Sequence, residues 1–413
     1  MTLRVTHYSG DRGGGAARAA LRINAALHRS GLAESRIEVI DASGGDASVS
    51  GFGSALSLRL AGLLTPTLDA LPLRIAKTLD SIPRSTGWIS RLRAQDINAT
   101  TSDIVHLHWI CGGFLSIEEI GRIVKPLVWT LHDMWAFCGA EHLSEDSTLA
   151  RWRTGYPPRL GAYLDIDRWV WRRKKAHWRT PMHIVTPSQW LAECVGQSEL
   201  LRHCSVNVVP NPLDIDVYKP MNRLAARRLL NLPDDSPLIL FGAIRGTQLP
   251  YKGFDLLMPA LNEVALARPG THAVIFGQSR PIQPPTLGLE IHWMGHLHDD
   301  FTLAALYSAA DVLVIPSRQE SFGQTGSEAQ ACGCPVVAFD ATGLRDVVAH
   351  GETGLLARPY DPSALAADII CLLDHPGARL DMGIKARARA CRLWSYDAVA
   401  LRYRDVYASI IGR

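Results

Sequence analysis

One apolar run followed by a glycine-containing turn constrains the fold of this chain more than any other feature. Residues 311–316, DVLVIP, have the length and composition of a buried parallel strand. The polar residues after it lead into a predicted helix at Ser327–Cys332. Because ligands of open α/β sheets bind at the carboxyl ends of the strands, the sequence predicts a ligand site at this turn.

Two carboxylates, Glu320 and Glu328, flank this turn. The backbone N–H groups between them belong to Ser321, Phe322, Gly323 and Gln324. They precede a helix whose positive dipole end favours an anion or sugar hydroxyls. Either acid alone is typical of an exposed loop or of a helix start, and paired acids also occur in glycosidases. The spacing favours binding of two different parts of one ligand.

These residues resemble the donor domain of the retaining, nucleotide-sugar-dependent glycosyltransferases of family 4, which carries a Glu-x7-Glu motif. The resemblance continues through GCPVV at 333–337, GLRD at 343–346, TGL at 353–355, PNPLD at 210–214 and KG at 252–253. SGDRGGG at 9–15 and LHDMW at 131–135 are most similar to bacterial exopolysaccharide enzymes of the colanic-acid type. The resemblance implies the α/β GT-B architecture. In it, two doubly wound Rossmann-like domains face each other across an active-site cleft, and the last helix crosses back to the first domain.

Length and composition agree with two globular domains. A chain of 413 residues exceeds what one hydrophobic core usually supports. Its 47% hydrophobic and 20% charged residues are ordinary for a globular protein, and a net charge of +3 gives no reason to expect nucleic-acid binding. We predict an acceptor-binding domain over 1–212, with about 392–413 packing back on it, and a nucleotide-sugar donor-binding domain over 213–391.

Strand-like and helical segments alternate in both halves. The predicted strands are 4–8, 104–107, 127–131, 183–186, 238–241, 273–276, 291–293, 312–315 and 335–339. The predicted helices are 16–29, 224–230, 327–332 and 362–373, and an amphipathic helix follows Tyr396. This alternation indicates a doubly wound sheet in each half.

Cysteine usage and hydropathy bear on the compartment. The eight cysteines are scattered without metal-type or small-domain spacing, so they are predicted to be reduced core thiols. The amino terminus has no apolar leader, and no run approaches the ~18 apolar residues that span a bilayer. These features predict a cytoplasmic protein.

A basic, tryptophan-containing segment over 168–179, RWVWRRKKAHWR, allows a peripheral membrane contact. Arginines among leucines in 56–93 have the same character. The simpler interpretation is a solvated basic face with the tryptophans turned to the core. A single-stranded nucleic-acid platform would also combine cations and rings, although nothing else in the sequence supports one. We hypothesise attachment at the inner face of a membrane that carries a lipid-linked acceptor.

Two site elements fall in the first half. Gly13, Gly14 and Gly15 follow the first strand and begin a helix, without the full dinucleotide fingerprint. They suit either a tight turn or a phosphate contact, and the resemblance implies that Gly14 and Gly15 lie beside the donor diphosphate. His132 follows a predicted strand, and the resemblance implies a place near the transferred sugar and its anomeric carbon.

The remaining catalytic and donor-binding candidates lie in the second half. Lys252 can present an ammonium to a departing diphosphate, where negative charge builds as the bond breaks. The family usually has an arginine about five residues earlier, where this chain has Thr247, so Arg245 is the candidate substitute. The resemblance implies that Glu320 contacts the sugar and Glu328 the ribose. His132, Lys252 and Glu320 form the predicted catalytic set.

No metal or cofactor is predicted for the reaction. His106 and His108 share one strand face at i, i+2, which is compatible with a metal pair. GT-B enzymes, however, generally stabilise the leaving group without a metal.

The resulting prediction is a retaining hexosyltransferase. It moves a hexose from a nucleoside diphosphate sugar to a hydroxyl of a bacterial glycan or lipid-linked oligosaccharide. The resemblance implies retention of configuration. Since no residue is an obvious nucleophile on the opposite sugar face, the family mechanism implied is one in which the leaving phosphate takes the acceptor proton. The alternatives are a nucleotide-sugar epimerase or phosphorylase of the same fold, and a non-catalytic nucleotide-sugar-binding protein.

Overall fold

The computed structural model describes residues 3–10, 13–40, 47–51, 64–76, 81–158, 164–242, 246 and 248–412. The chain forms two compact units. The first unit comprises Met1–Pro212 and Tyr396–Arg413, and the second comprises Leu213–Ser395. The chain thus returns to the first unit at Tyr396, against a predicted position of about residue 392.

The first unit is built on a seven-stranded parallel sheet with the order β3-β2-β1-β4-β5-β6-β7. Its strands are β1 Leu3–Ser9, β2 Ala33–Val39, β3 Val49–Gly51, β4 Ile104–Leu107, β5 Leu127–Thr130, β6 His183–Thr186 and β7 Ser205–Val208. Its helices are Gly15–Ser30, Leu71–Ala76, Ala94–Ala99, Ile117–Ile120, Arg151–Thr154, Ile166–His177, Gln189–Gln197 and Tyr396–Ile411. The central strands β4 and β5 are buried along their whole length, as expected for a sheet covered by helices on both faces.

The C-terminal helix Tyr396–Ile411 belongs to the core of this first unit. Its buried residues Val399, Tyr403 and Tyr407 share a hydrophobic cluster with Ile23 and Leu27 of helix Gly15–Ser30. The predicted amphipathic spacing therefore marks a helix that packs on the amino-terminal sheet domain.

The second unit contains a six-stranded parallel sheet with the order β10-β9-β8-β11-β12-β13. Its strands are β8 Leu238–Gly242, β9 His272–Phe276, β10 Glu290–Gly295, β11 Val312–Ile315, β12 Val336–Phe339 and β13 Gly354–Ala357. Its helices are Arg223–Leu229, Phe254–Ala267, Asp300–Ala309, Gln324–Ala331, Leu344–Val347, Pro362–Asp374 and Pro376–Trp394, with a 3-10 turn at Pro250–Lys252. Two doubly wound parallel sheets confirm the predicted α/β class.

Each sheet has a point where the strand order reverses. In the second unit, β8 lies between β9 and β11, so the chain runs outward in one direction from β8 to β9 and in the other from β11 to β12. The crevice at the carboxyl ends of such a pair is where open α/β sheets bind ligands. The loops after β8 and β11 carry Lys252 and Glu320 respectively, so the topology alone brings these residues together.

All eight cysteines are thiols without a disulfide. The prediction of core thiols is confirmed for the five buried ones, which are Cys111, Cys138, Cys194, Cys332 and Cys334. It is wrong for Cys371, which is exposed because it lies on the solvent face of helix Pro362–Asp374. Within the described part of the chain, no helix combines the length and the apolar character that crossing a membrane requires.

Candidate active site

Gly323 shapes the turn between β11 and the helix Gln324–Ala331. It is the residue before the helix and has a φ of 93°. A Cβ atom there would lie 2.9 Å from Leu344 Cδ2, so both the backbone conformation and the neighbouring side chain favour glycine. The helix begins at Gln324, three residues before the predicted start at Ser327. The segment that precedes the helix, 321–323, is therefore shorter than the sequence predicted.

Lys252 ends a 3-10 turn that packs against the end of β11. The next residue, Gly253, has a φ of 69°, and a Cβ atom there would lie only 1.8 Å from the carbonyl oxygen of Pro316. The Arg318 N–H donates to the Tyr251 carbonyl at 2.8 Å, which joins the same two loops. Gly253 thus permits the backbone approach that holds Lys252 beside the turn after β11.

Lys252 and Glu320 form an ion pair, with 2.6 Å between Lys252 Nζ and Glu320 Oε1. The Ser317 hydroxyl donates to the same carboxylate oxygen at 2.9 Å. The backbone N–H of Glu320 donates to Thr342 Oγ1 at 3.1 Å. Lys252 and Ser317 thus hold the carboxylate, and Thr342 holds the backbone of Glu320. The side chains of Lys252 and Glu320 stay partly exposed, at 22% and 18%.

The ammonium of Lys252 stays charged at neutral pH. Burial alone lowers the pKa of this lysine, but the charge and hydrogen bond of Glu320 outweigh burial and raise the pKa above its ordinary value. The site therefore offers a fixed positive charge whose present counter-ion is a carboxylate. A phosphate oxygen has the same charge and hydrogen-bonding capacity as that carboxylate.

Glu328 has different surroundings from Glu320. It lies on the helix Gln324–Ala331 with only 2% of its surface exposed. The Tyr307 hydroxyl donates to Glu328 Oε2 at 2.8 Å. Burial, followed by the negative charge of Glu328, raises the pKa of Tyr307 well above its usual value. The two acids thus have separate partners, which fits contacts to two parts of one ligand better than a shared acid–base pair.

Among the donor-binding candidates, Arg245 lies outside the described residues. Phe322 is buried and packs edge-on against Trp394 at 5.9 Å between ring centres. Its side chain therefore supports the turn from the core, and only its backbone remains available to a ligand. Ser321 is partly exposed at the same turn, and its carbonyl oxygen would be 2.4 Å from a Cβ atom on Gly343.

In the first unit, the glycine segment lies where the sequence predicted it. Gly13 has a φ of 147°, and Gly14 is the residue before the helix Gly15–Ser30. Gly14 has no side chain that could cap this helix, whose first residue is Gly15. The positive dipole end of a helix is suited to an anion.

His132 is half-buried, two residues after the end of β5, and forms one end of a chain of histidines. His108 Nδ1 lies 3.2 Å from His132 Nε2, and His7 Nδ1 lies 2.9 Å from His108 Nε2. His7 and His108 belong to the adjacent strands β1 and β4 or their ends, which explains their approach. Burial lowers the pKa of His7 to about 3 and that of His108 well below its usual value. Both inner rings are therefore neutral.

The histidine chain couples the tautomers of its three rings. A neutral imidazole carries one ring proton, so each nitrogen that donates leaves the other as an acceptor. His7 Nε2 has no hydrogen-bond partner among the described residues. With that nitrogen unprotonated, His7 donates to His108, His108 donates to His132, and His132 carries its own proton on Nδ1.

The predicted pair His106 and His108 does not present open metal ligands. His106 Nδ1 lies 2.8 Å from the Tyr407 hydroxyl, and its Nε2 lies 2.7 Å from Thr130 Oγ1. His7 joins these two histidines in a buried cluster whose ring nitrogens lie within 4.8 Å of one another. The nitrogens of His106 and His108 are already engaged in hydrogen bonds, so the cluster is a hydrogen-bonded network.

Sequence reasoning missed several partners of the candidate site. Asp133 lies 2.7 Å from His142 Nδ1, and His142 Nε2 lies 2.8 Å from Ser85 Oγ. Burial would raise the pKa of Asp133, but His142 and a backbone hydrogen bond lower it overall. Tyr307 was missed as well. Asp133 lies in the LHDMW segment, but its contact with His142 was not predicted. No local motif marks His142, Ser85 or Tyr307. The contacts of Ser85 with His142 and of Tyr307 with Glu328 join residues 57 and 21 positions apart.

Some basic side chains of the helix Ile166–His177 contact other protein groups and do not face solvent. Lys174 is buried, and its ammonium donates to the carbonyl oxygens of Trp135, Cys138 and Gly139. Arg173 pairs with Glu118 at 2.7 Å. Lys174 therefore holds the segment that follows His132, and only part of the predicted basic surface faces solvent.

Solved structures define the class of this fold. Sucrose-phosphate synthase from Thermosynechococcus elongatus aligns with a TM-score of 0.67 at 20% identity, over 99% of both chains. Anabaena HepE, solved in complex with UDP and glucose, aligns with a TM-score of 0.64 at 18% identity, over 98% of this chain and 100% of that chain. The architecture is the GT-B fold of glycosyltransferases.

Sequence comparisons then give the family. Residues 13–217 match the model "Glycosyltransferase Family 4", and residues 237–375 match "Glycosyl transferases group 1". A D-inositol 3-phosphate glycosyltransferase of Xylanimonas cellulosilytica is 39% identical over 348 residues, which cover 80% of this chain and 74% of that protein. One from Thermobispora bispora is 30% identical over 333 residues, 75% of this chain and 71% of that protein. The chain belongs to the family 4 glycosyltransferases and is a glycosyltransferase.

Proposed function

We propose that the protein is a retaining hexosyltransferase whose second unit binds a nucleoside diphosphate sugar. The observation that carries this proposal is the Lys252–Glu320 pair after β8 and β11, where the strand order of the sheet reverses. In this pair, the ammonium of Lys252 can donate to a phosphate, and the carboxylate of Glu320 can accept hydrogen bonds from sugar hydroxyls. The helix start at Gln324 adds backbone N–H groups beside them.

Each residue has a separate role in this proposal. Lys252 binds the diphosphate and stabilises the charge that it gains as the anomeric C–O bond breaks. Glu320 accepts hydrogen bonds from hexose hydroxyls, and Glu328 accepts one from the ribose. The roles of Gly14, Gly15 and Arg245 towards the donor stay predictions from the family resemblance.

The reaction is proposed to proceed on one face of the sugar. The acceptor oxygen forms the new bond to the anomeric carbon while the bond to the diphosphate breaks. The departing phosphate oxygen takes the proton of the acceptor hydroxyl, so atoms and charge balance without a protein nucleophile, and the configuration is retained. We propose that this chemistry needs no metal, since Lys252 supplies the positive charge.

His132 is proposed to contact the transferred sugar. Its ring is held by His108, whose own ring is held by His7. In the tautomer with the proton on Nδ1, His132 donates a hydrogen bond towards a hydroxyl. His7 and His108 would then be positioning residues that act through His132.

Two acceptor classes have specific support. The relatives that are 30–39% identical over 71–74% of their length are D-inositol 3-phosphate glycosyltransferases, which favours a phosphorylated inositol. The similarity of 9–15 and 131–135 to exopolysaccharide enzymes favours a bacterial glycan or lipid-linked oligosaccharide. The inositol phosphate has the stronger support because its similarity covers most of the chain.

The test is a matrix of donors and acceptors with the purified full chain. UDP-, GDP- and ADP-sugars are each combined with D-inositol 3-phosphate and with a glycolipid extract, and UDP-sugars are tried first because HepE was solved with UDP. The proposal expects release of one nucleoside diphosphate together with a glycosylated product. Proton NMR of that product should show the anomeric configuration of the donor. Binding of a nucleotide sugar without turnover would instead favour the non-catalytic alternative.

A further inference from the structure

A second group of metal-type ligands lies at the opposite end of the second sheet from the candidate donor site. His272 and Glu290 are the first residues of β9 and β10, and their Cα atoms are register partners. His292 lies two residues after Glu290 on the same strand, so the two side chains project from one face of the sheet. Parallel pairing thus gathers two imidazoles and a carboxylate at the amino ends of these strands.

The distances between the three side chains are close to those of a zinc site. His272 Nδ1 lies 2.9 Å from His292 Nε2 and 3.7 Å from Glu290 Oε2. His292 Nε2 lies 4.0 Å from Glu290 Oε1. Zinc bonds of about 2.1 Å in tetrahedral geometry place the ligand atoms about 3.4 Å apart. Zinc would therefore replace the hydrogen bond between His272 and His292 and move these two nitrogens slightly apart.

Burial and flexibility also suit metal uptake. The two imidazoles are held at 16% and 20% exposure, whereas the Glu290 carboxylate is 68% exposed and can turn to adjust its distance. Two imidazoles and one carboxylate suit zinc better than magnesium or calcium, which prefer oxygen ligands.

We propose that His272, Glu290 and His292 form a zinc site on the edge of the second sheet. A water molecule would complete the coordination. Because β10 is the edge strand, the ion would join it to β9 and stabilise that edge. The site is separate from the glycosyl transfer proposed at the carboxyl ends of β8 and β11.

Calorimetric titration of zinc chloride into the metal-stripped full chain tests the proposal. One zinc ion should bind per chain, and magnesium chloride should produce no binding. His272→Asn and His292→Asn should each weaken zinc binding at least about ten-fold, since each removes one of three protein ligands. His298→Asn is the matched control, because His298 is an exposed histidine just after the same strand, and it should bind zinc as the wild type does.

Thermal unfolding supplies a readout that does not depend on activity. Zinc should raise the melting temperature of the wild type and of His298→Asn, but leave that of the double variant His272→Asn/His292→Asn unchanged. Circular dichroism without metal confirms that the double variant is folded. Absence of stoichiometric zinc uptake, or uptake that survives in the double variant, would overturn the proposal.

Discussion

Replacing Lys252 by methionine removes the positive charge of the candidate donor site with little change in side-chain volume. The ammonium lies 2.6 Å from Glu320 Oε1, and Ser317 still donates to that carboxylate after the substitution. The pair is partly exposed, so its loss should cost only about 1 kcal/mol of folding stability. The variant should therefore fold, which separates a catalytic effect from unfolding.

The expected catalytic effect follows from the charge that develops on the diphosphate. Two unit charges about 2.8 Å apart at an effective dielectric constant of about 20 interact by roughly 6 kcal/mol. If about half a unit of charge develops in the transition state, Lys252 contributes roughly 3 kcal/mol to its stabilisation. That energy corresponds to a rate loss of about 100- to 200-fold.

Donor hydrolysis provides an assay that needs no acceptor. Release of the nucleoside diphosphate is followed at saturating donor for the wild type, Lys252→Met, Lys252→Arg and Lys219→Met. Lys219 is an exposed lysine of the same unit, so Lys219→Met should retain the wild-type rate. Lys252→Arg should recover part of the lost rate because it keeps the charge. A Lys252→Met rate within about three-fold of the wild type would refute the reasoning.

Three further perturbations have expected outcomes. Tyr307→Phe removes the hydroxyl that donates to buried Glu328, so it should lower the free energy of unfolding by about 1–3 kcal/mol in denaturant titrations and weaken nucleotide binding; unchanged values would contradict the contact. Burial lowers the pKa of His7 to about 3 in the folded chain. As the pH falls, His7 is therefore protonated in the unfolded chain at a higher pH than in the folded chain. The contribution of neutral His7 to the free energy of unfolding should be complete above about pH 6.5 and should decline towards pH 3. The melting temperature of His7→Gln should therefore depend less on pH than that of the wild type. Arg172→Glu/Lys175→Glu reverses two exposed charges, and it should abolish liposome binding that depends on anionic lipid without lowering the melting temperature; wild-type protein that binds no liposomes would exclude the membrane hypothesis.

The apolar runs of the central strands were readable from the sequence. The predicted bounds of β4, β6 and β11 coincide with the observed strands, because these strands are short and almost wholly buried. β7, with the sequence SVNV, was missed because it is an edge strand with alternating exposure. A run of apolar residues therefore identifies a strand only where both faces of the sheet are covered.

The motif residues of the candidate site were readable, but their partners were not. The Glu-x7-Glu motif and Lys-Gly identified Glu320, Glu328 and Lys252 from local patterns. The contact between Lys252 and Glu320 joins residues 68 positions apart, and it depends on the adjacency of β8 and β11. Tyr307 reaches Glu328 from another helix in the same way. Such pairings depend on tertiary packing, which no local spacing encodes.

Titration of UDP, GDP and ADP into the purified chain by calorimetry tests the central claim most directly. We predict that one nucleoside diphosphate binds with micromolar affinity and that Lys252→Met weakens its binding at least about ten-fold, whereas Lys219→Met does not. That result would place the donor diphosphate at the turn after β8. Binding of none of the three, or equal binding by Lys252→Met and the wild type, would contradict the donor site proposed here.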